Sequence, residues 1–330
     1  MKVLATLLLL STILISCQEN DPEAESSEYI IVRNIDEVGL KKGIVSLYNS
    51  ATKTYSEDVI TLNPSQAGFT YASYKGGNLY LTTFTPPTLV KVDMESKSQI
   101  QTTSLWLFGK TIPFDDGVVV CGSQVDSFGD RFMNFLFYNE DLILTDSIVQ
   151  LDPVIQIFDV AIAENKLFCS VRAENGVRLV YVLDIFTKNI VKTLPFEDNC
   201  WQFVEIDGQL VAMESTRFHY INTSTFEITT KTSKFSIGSE EMFYNQSDKL
   251  IYFLGTAAQP SLTQYYFLTY NLAVDESQFV TKDPIFITKP LVYDKKLNVI
   301  VSGGPRVYSL KGELLFEAES PAATPFIFIK

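Results

Sequence analysis

Few residues in this chain have side chains suited to chemistry, and those few are scattered. His219 is the single histidine in 330 residues, so no second imidazole can share a metal or relay a proton. No Gly-x-Ser-x-Gly elbow surrounds any serine, which leaves a Ser–His–Asp hydrolase through His219 without its nucleophile. A Gly-rich phosphate loop and a Cys-x-x-Cys-His haem attachment are also missing, and Gly303-Gly304-Pro305 reads as a turn. Asp36, Asp126, Asp130 and Asn199 could supply oxygens to a metal, but the run from Asp126 to Asp130 lacks EF-hand spacing. What remains suits binding. Arg131, Arg172 and Arg217 offer forked donors for carboxylates or phosphates, or else pair with Asp126, Asp130 and Glu214. Trp106 and Trp201 either wall a planar or sugar-like ligand or pack between structural units. The expectation is a non-catalytic protein without a cofactor or resident metal, contacting a ligand through Trp106, Asp126, Arg131, Arg172, Trp201 and Arg217.

Composition narrows the partner. Against 39 acidic residues there are 26 basic ones, a formal charge of −13, which argues against nucleic acid and against adsorption to anionic lipid. At the N-terminus, Lys2 precedes an apolar run from Val3 to Ile15, too short to span a bilayer. The run ends Leu14-Ile15-Ser16-Cys17, which resembles a bacterial lipoprotein signal. That resemblance implies cleavage before Cys17 and acylation of its thiol, an anchor that holds without spanning. Gln18–Ser27 is polar and acidic, as expected of a flexible tether. The expected organisation is a signal over 1–16, a tether over 17–27 and one domain over 28–330. Cys121, Cys169 and Cys200 lack metal-type spacing. Cys121 and Cys169 fall at equivalent strand positions and read as small core residues, and an extracytoplasmic setting would allow a Cys169–Cys200 disulfide.

These residues must be positioned by β-strands, because the rest of the chain is a repeat of them. From Ile157 to Phe196 run four apolar-rich segments joined by Asn-Lys, Glu-Asn-Gly and Thr-Lys-Asn turns, the pattern of a four-stranded antiparallel meander. Copies recur every 40–50 residues or so, the period of propeller blades. Third strands end in Asn49, Asp93, Asn139, Asp184, Asn222 and Asn271, residues that bond their own backbone in turns. The count is seven blades, with six plus an N-terminal cap as the competing reading. No first strand precedes Tyr29, whereas Pro325–Lys330 is left over at the other end. The C-terminal strand should therefore complete the first blade and close the ring. Ligands are then expected on the face carrying the second-to-third-strand loops and the links between blades. Gly122–Phe132 and Gly255–Gln264 are the longest of those loops.

With repeat, Asx turn and late closure in place, the chain resembles the YncE-like, seven-bladed propeller lipoproteins of Bacteroidota. The motif-level match is the strand Gly43-Ile44-Val45-Ser46-Leu47-Tyr48-Asn49 in the first blade. The chain departs from the pattern just before it, with Arg33-Asn34-Ile35-Asp36 where Asn-Glu-Gly is usual. The resemblance implies an outer-membrane, cell-surface lipoprotein that captures a corrinoid or metallophore and passes it to a TonB-dependent transporter. A scaffold propeller binding other envelope proteins and a metal-dependent propeller hydrolase are the alternatives.

Overall fold

The structure is a computed structural model that describes residues 26–37, 40–61, 67–125, 131–206, 208–256, 265–281, 291–303, 306–317 and 326–330. Cys17, Asp126 and Asp130 lie outside them, and so do 257–264 and most of the links 62–66, 282–290 and 318–325. All regular structure among the described residues is β, arranged as seven blades of four antiparallel strands in a ring.

Blade 4 shows how the sequence makes one blade. Its strands are the second half of Leu144–Ala163, then Lys166–Ala173, Arg178–Asp184 and Asn189–Phe196, each paired with the next. Alternate side chains leave opposite faces of a strand. On the second strand Leu167, Cys169 and Val171 therefore pack toward blade 3, while Phe168 packs toward blade 5. A sheet buried on both faces needs apolar residues at successive positions, and the segments supply them.

The other blades repeat this plan. Blade 2 uses Ala67–Lys75, Asn78–Thr85, Thr88–Asp93 and Ser98–Ser104, and blade 5 uses Gln202–Ile206, Gln209–Met213, Arg217–Asn222 and Ile228–Thr232. Blade 6 is built from Ser236–Asn245, Leu250–Thr256, Tyr265–Asn271 and Glu276–Phe279, and blade 7 from Leu291–Asp294, Val299–Ser302, Arg306–Ser309 and Leu314–Glu317. In blade 3, Phe108–Phe114, Gly117–Val125 and Arg131–Asn139 are completed by the first half of Leu144–Ala163. That 20-residue strand is outermost in one blade and innermost in the next, so the connection between them is itself extended backbone. At Gly109 the inner strand of blade 3 approaches the second strand so closely that a Cβ would sit 2.3 Å from the Cys121 carbonyl oxygen.

Ring closure is as the leftover strand predicts. Phe326–Ile329 pairs antiparallel with Glu28–Glu37, setting Tyr29 opposite Ile329 and Val32 opposite Phe326. The remaining strands of blade 1 are Leu40–Asn49 and Thr54–Thr61.

The six predicted Asx turns form. Asp184 Oδ1, for example, accepts the N–H groups of Phe186 and Thr187 at 3.0 and 2.8 Å, and Asn222 Oδ1 those of Ser224 and Thr225 at 2.9 and 2.8 Å. The left-handed residue is not the Asx itself. In blades 1, 2, 4, 5 and 6 it falls four positions later, at Lys53, Lys97, Lys188, Phe226 and Asp275. The Asx side chain thus starts the turn and a later residue reverses the chain.

Polar side chains near the axis tie blade to blade. Asn34 exchanges two hydrogen bonds with the backbone of Phe69, at 2.9 and 2.6 Å. Ser73 donates to Thr111 at 2.9 Å, and Asp159 accepts the Phe203 N–H at 2.8 Å. Gln202 exchanges hydrogen bonds with the Met242 backbone, and Tyr29 donates to Asp294 at 2.6 Å. Lys110 donates to the Phe158 carbonyl and lies 3.4 Å from Asp159. Satisfied in this way, buried polar groups need not weaken the ring.

Candidate functional site

The second-to-third-strand loops and the inter-blade links share one face of the ring, because antiparallel strands return every second turn to the same end. Several expected loops prove shorter than the sequence suggests. Gly122–Val125 and Arg131–Phe132 belong to paired strands, with Arg131 opposite Val125 and Phe132 opposite Gln124. Gly255 and Thr256 likewise pair with Tyr266 and Tyr265. In blade 1 the stretch from Asn34 to Lys42 between the second and third strands is mostly hairpin ladder.

Among the described residues of this face, the chemistry collects between blades 4 and 5. The lower part of that junction is apolar, with Phe168, Val180 and Val182 of blade 4 packed on Phe203, Leu210 and Ala212 of blade 5. Continuing the same alternation toward the loop face changes its character. Blade 4 then presents Ser170 and Arg172 on its second strand, and Arg178 on its third, directly opposite Arg172 in register. Blade 5 presents Glu214 beyond Ala212, and His219 and Arg217 beyond Ile221. Glu197, Asp198 and Asn199, in the link between the blades, fill the gap.

Glu214 is the hub. It is completely buried. Its Oε1 accepts the Asp198 N–H at 3.0 Å, and its Oε2 lies 2.7 Å from Arg217 Nη2 and 3.0 Å from His219 Nε2. Burial pushes its pKa up, but the His219 imidazole beside it, the Asp198 N–H and the Arg217 guanidinium outweigh that and hold it below the ordinary value. Asp198 is balanced the same way. Its burial is more than offset by Ser215, which donates at 2.7 Å, by the Asn199 N–H at 2.8 Å and by the charges of Arg178 and Arg217. Arg217 also pairs with Glu197, which raises its pKa further. Arg178 donates to Asn199 at 3.3 Å and to the Gly176 carbonyl at 3.3 Å.

His219 has little room to act as a base. Its Nδ1 meets Thr230 Oγ1 at 2.8 Å, its Nε2 faces Glu214, and Phe196 stands edge-on to the ring at 5.0 Å. No nitrogen of the only imidazole is left for a substrate proton.

Three buried polar atoms of this junction make no aligned hydrogen bond: Arg172 Nε, Glu214 Oε2 and His219 Nε2. The last two are compensated at ion-pair distance. Arg172 Nε is not, and Arg172 makes no ion pair among the described residues. Such an atom can take a ligand or an ordered water, as can others like it elsewhere in the ring, among them Tyr55 Oη and Ser302 Oγ.

The structure thus brings Arg172 and Arg217 to one junction and sets the others apart. Trp201 opens blade 5, half-buried, its ring edge-on to Phe158 at 4.8 Å and packed on the core between blades 5 and 6. Trp106 lies in the link from blade 2 to blade 3, 53% exposed. The two indoles therefore stand at different junctions. Arg131 begins its strand at the blade 3–4 junction, exposed, and donates to the Ile155 carbonyl at 3.3 Å. The expected pairing of an arginine with Glu214 forms through Arg217. Sequence reasoning missed Arg178 and Asp198 beside them; strand alternation, applied to both blades, was the signal that could have found Arg178. All three described cysteines are free and buried. Cys169 faces blade 3 beside Cys121, whereas Cys200 packs between blades 4 and 5, so the sheet itself keeps Cys169 and Cys200 apart. Among the described residues no three His, Cys, Asp or Glu side chains gather as a metal site.

Ring, blade order and closure define the class: a seven-bladed β-propeller. Solved structures agree on the fold. A periplasmic gluconolactonase of Pseudomonas aeruginosa, PpgL, superposes with TM-score 0.64 at 10% identity, covering 92% of this chain and 99% of its own. The Pan2 WD40 domain of Neurospora crassa gives 0.55 at 12% identity over 77% and 80%, and TolB of Acinetobacter baumannii gives 0.51 at 10% identity over 98% and 71%. No protein-family model matches the chain, and no curated protein does so by sequence. At such identities the likeness is one of fold.

Proposed function

We propose that this propeller is a non-catalytic binding protein of the bacterial envelope, anchored through acylated Cys17, whose loop face takes an anionic ligand between blades 4 and 5. The observation that carries this reading is Arg172, a guanidinium whose buried Nε has no partner among the described residues, in a chain of net charge −13. Diffuse attraction of anions is ruled out by that charge, so an anion must be held by local forked donors. Arg178 and Arg217 stand close by, already tied to Asp198, Asn199, Glu214 and Glu197, and so fix the shape of the slot. The engaged state of His219 favours binding over hydrolysis. An envelope setting is supported by the lipoprotein-like N-terminus, and two of the fold neighbours, a periplasmic enzyme and TolB, are compatible with it. A corrinoid, through its phosphate, or a carboxylate-bearing metallophore fits the donor set, and hand-over to a TonB-dependent transporter would follow from the resemblance of the first blade.

The test is calorimetry of the purified chain against cobalamin, haem and ferric citrate. At least one should bind, and Arg172→Gln should weaken it about tenfold or more, the cost of losing a charge-assisted pair. Binding unaffected by Arg172→Gln would remove the slot from the ligand's path.

A further inference from the structure

The opposite mouth of the ring holds a second feature, built by different residues. There the inner strands of blades 5, 6 and 7 turn into their second strands, and a cavity of about 560 Å³ opens between them. This is the size range of small-molecule sites. Its floor is aromatic. Tyr252, Phe243 and Tyr293 form a parallel stack, with centroids 5.1 and 4.8 Å apart and planes within 4° and 13°. Phe243 is sandwiched inside the stack. Tyr293 ends it, its ring fixed by a hydroxyl that donates to Asn298 at 2.7 Å. Among the described residues no further ring stacks on Tyr293, and it lines the cavity with Phe243 and Tyr244.

Around this floor stand three exposed polar side chains, Glu205, Gln246 and Lys295. None makes a hydrogen bond or ion pair among the described residues. The rest of the lining is aliphatic. A carboxylate accepts, an ammonium donates and an amide does both, so the rim can serve a ligand presenting many neutral hydroxyls. Both signs of charge are present, so a net-charged ligand would gain at one residue what it loses at the other. A hydroxylated saturated ring meets all of these conditions: its C–H face covers an aromatic ring end-on to the stack, and its hydroxyls reach the rim.

We propose that this cavity is a carbohydrate subsite, with Tyr293 as the stacking platform and Glu205, Gln246 and Lys295 as hydroxyl partners for a mono- or disaccharide of pyranose rings. It lies at the other end of the ring from Arg172 and is independent of the anion slot.

Saturation-transfer NMR on the full chain with methyl β-D-glucopyranoside, methyl α-D-mannopyranoside and maltose tests it. Transfer to the ring protons of at least one probe is expected. Tyr293→Ala should weaken that probe at least tenfold, Tyr293→Phe should leave it within about threefold, and Arg172→Gln should leave it unchanged. Where Tyr293→Ala lowers the thermal midpoint so far that the fold is lost, the doubly substituted Glu205→Gln, Lys295→Met chain replaces it, with at least a fivefold weakening expected. No transfer to any of the three probes overturns the proposal, and so does transfer that survives either replacement unchanged. Loss of a saccharide signal on Arg172→Gln would instead place the sugar at the anion slot and equally overturn it.

Discussion

Blades 1 and 4 contain the same four strands and solve opposite problems. Blade 4 is continuous with its neighbours on both sides, sharing the strand Leu144–Ala163 with blade 3. Blade 1 is assembled from the two ends of the chain, with its innermost strand held only by pairing and packing. The core between blades 7 and 1 is accordingly apolar and aromatic: Tyr29, Ile31, Val301, Val307 and Ile327 close on one another. Tyr29, Tyr48 and Phe316 stack with centroids 5.9 and 5.2 Å apart, and the buried Arg33 lies over the ring of Tyr55. The junction of blades 4 and 5 instead holds arginines, carboxylates and a histidine. Where the chain itself fixes the geometry, an interface can carry charged and incompletely satisfied groups. Where the two chain ends are held by contact, packing dominates and the buried polar groups are few: Tyr29 donates to the buried Asp294, and Arg33 lies over Tyr55.

The largest effect should come from the seam. Deleting residues 326–330 removes a ladder and four apolar side chains, of which Ile327 is buried. Thermal unfolding should shift down by about 10 °C or more. Lys330→Ala, which loses only a surface pair with Glu28, should move the midpoint by less than about a degree. An intact midpoint after the deletion would mean that the strand does not close the ring.

A smaller effect is expected at the polar junction. Arg217→Met leaves the buried Glu214 carboxylate without its guanidinium partner, which should cost about 3 kcal/mol in urea unfolding. A cost below about 0.5 kcal/mol would show that the junction tolerates charge without compensation, and the contrast with blade 1 would fail.

The smallest effect is in the pH profile. Glu214 has a native pKa below its ordinary value, so its stabilisation is complete above the usual carboxylate range and is lost as pH falls through the native value. Asp198 works in the same direction. Asp159 works in the other, since burial raises its pKa and its ionisation opposes the fold as pH rises. Glu214→Gln removes the first contribution alone. The gap in thermal midpoint between the parent chain and Glu214→Gln should therefore narrow from neutral pH to about pH 3. A constant gap would mean that Glu214 is not stabilised as a carboxylate.

Much of the fold was legible because propeller blades are local. Strand, turn and strand follow one another, and the apolar runs and Asx residues at 49, 93, 139, 184, 222 and 271 mark them without reference to distant sequence. Even closure could be read, as a strand missing before Tyr29 and one in excess after Thr324. Less was legible where alternation had to be followed across two blades. Arg172 and Arg178 are partners in one hairpin, but Glu214 lies far along the chain from both, and only the packing of blade 4 against blade 5 puts them on facing surfaces. Loop lengths misled for a related reason: polar residues such as Gln124 and Thr256 continue a ladder as readily as apolar ones once a partner strand holds them.

By itself, then, the order of residues determined the repeat, the turn chemistry and the surplus strand, since each rests on interactions between near neighbours or on a count, while the choice of seven blades over six came with the closed ring. Tertiary structure alone decided that Trp106 and Trp201 serve different junctions, that Cys169 and Cys200 sit on opposite faces of one sheet, and that His219 is closed in by Glu214 and Thr230. The physical reason is common to all three. A side chain's neighbours across a blade junction are set by strand register and sheet twist, and these are fixed only when the ring has closed.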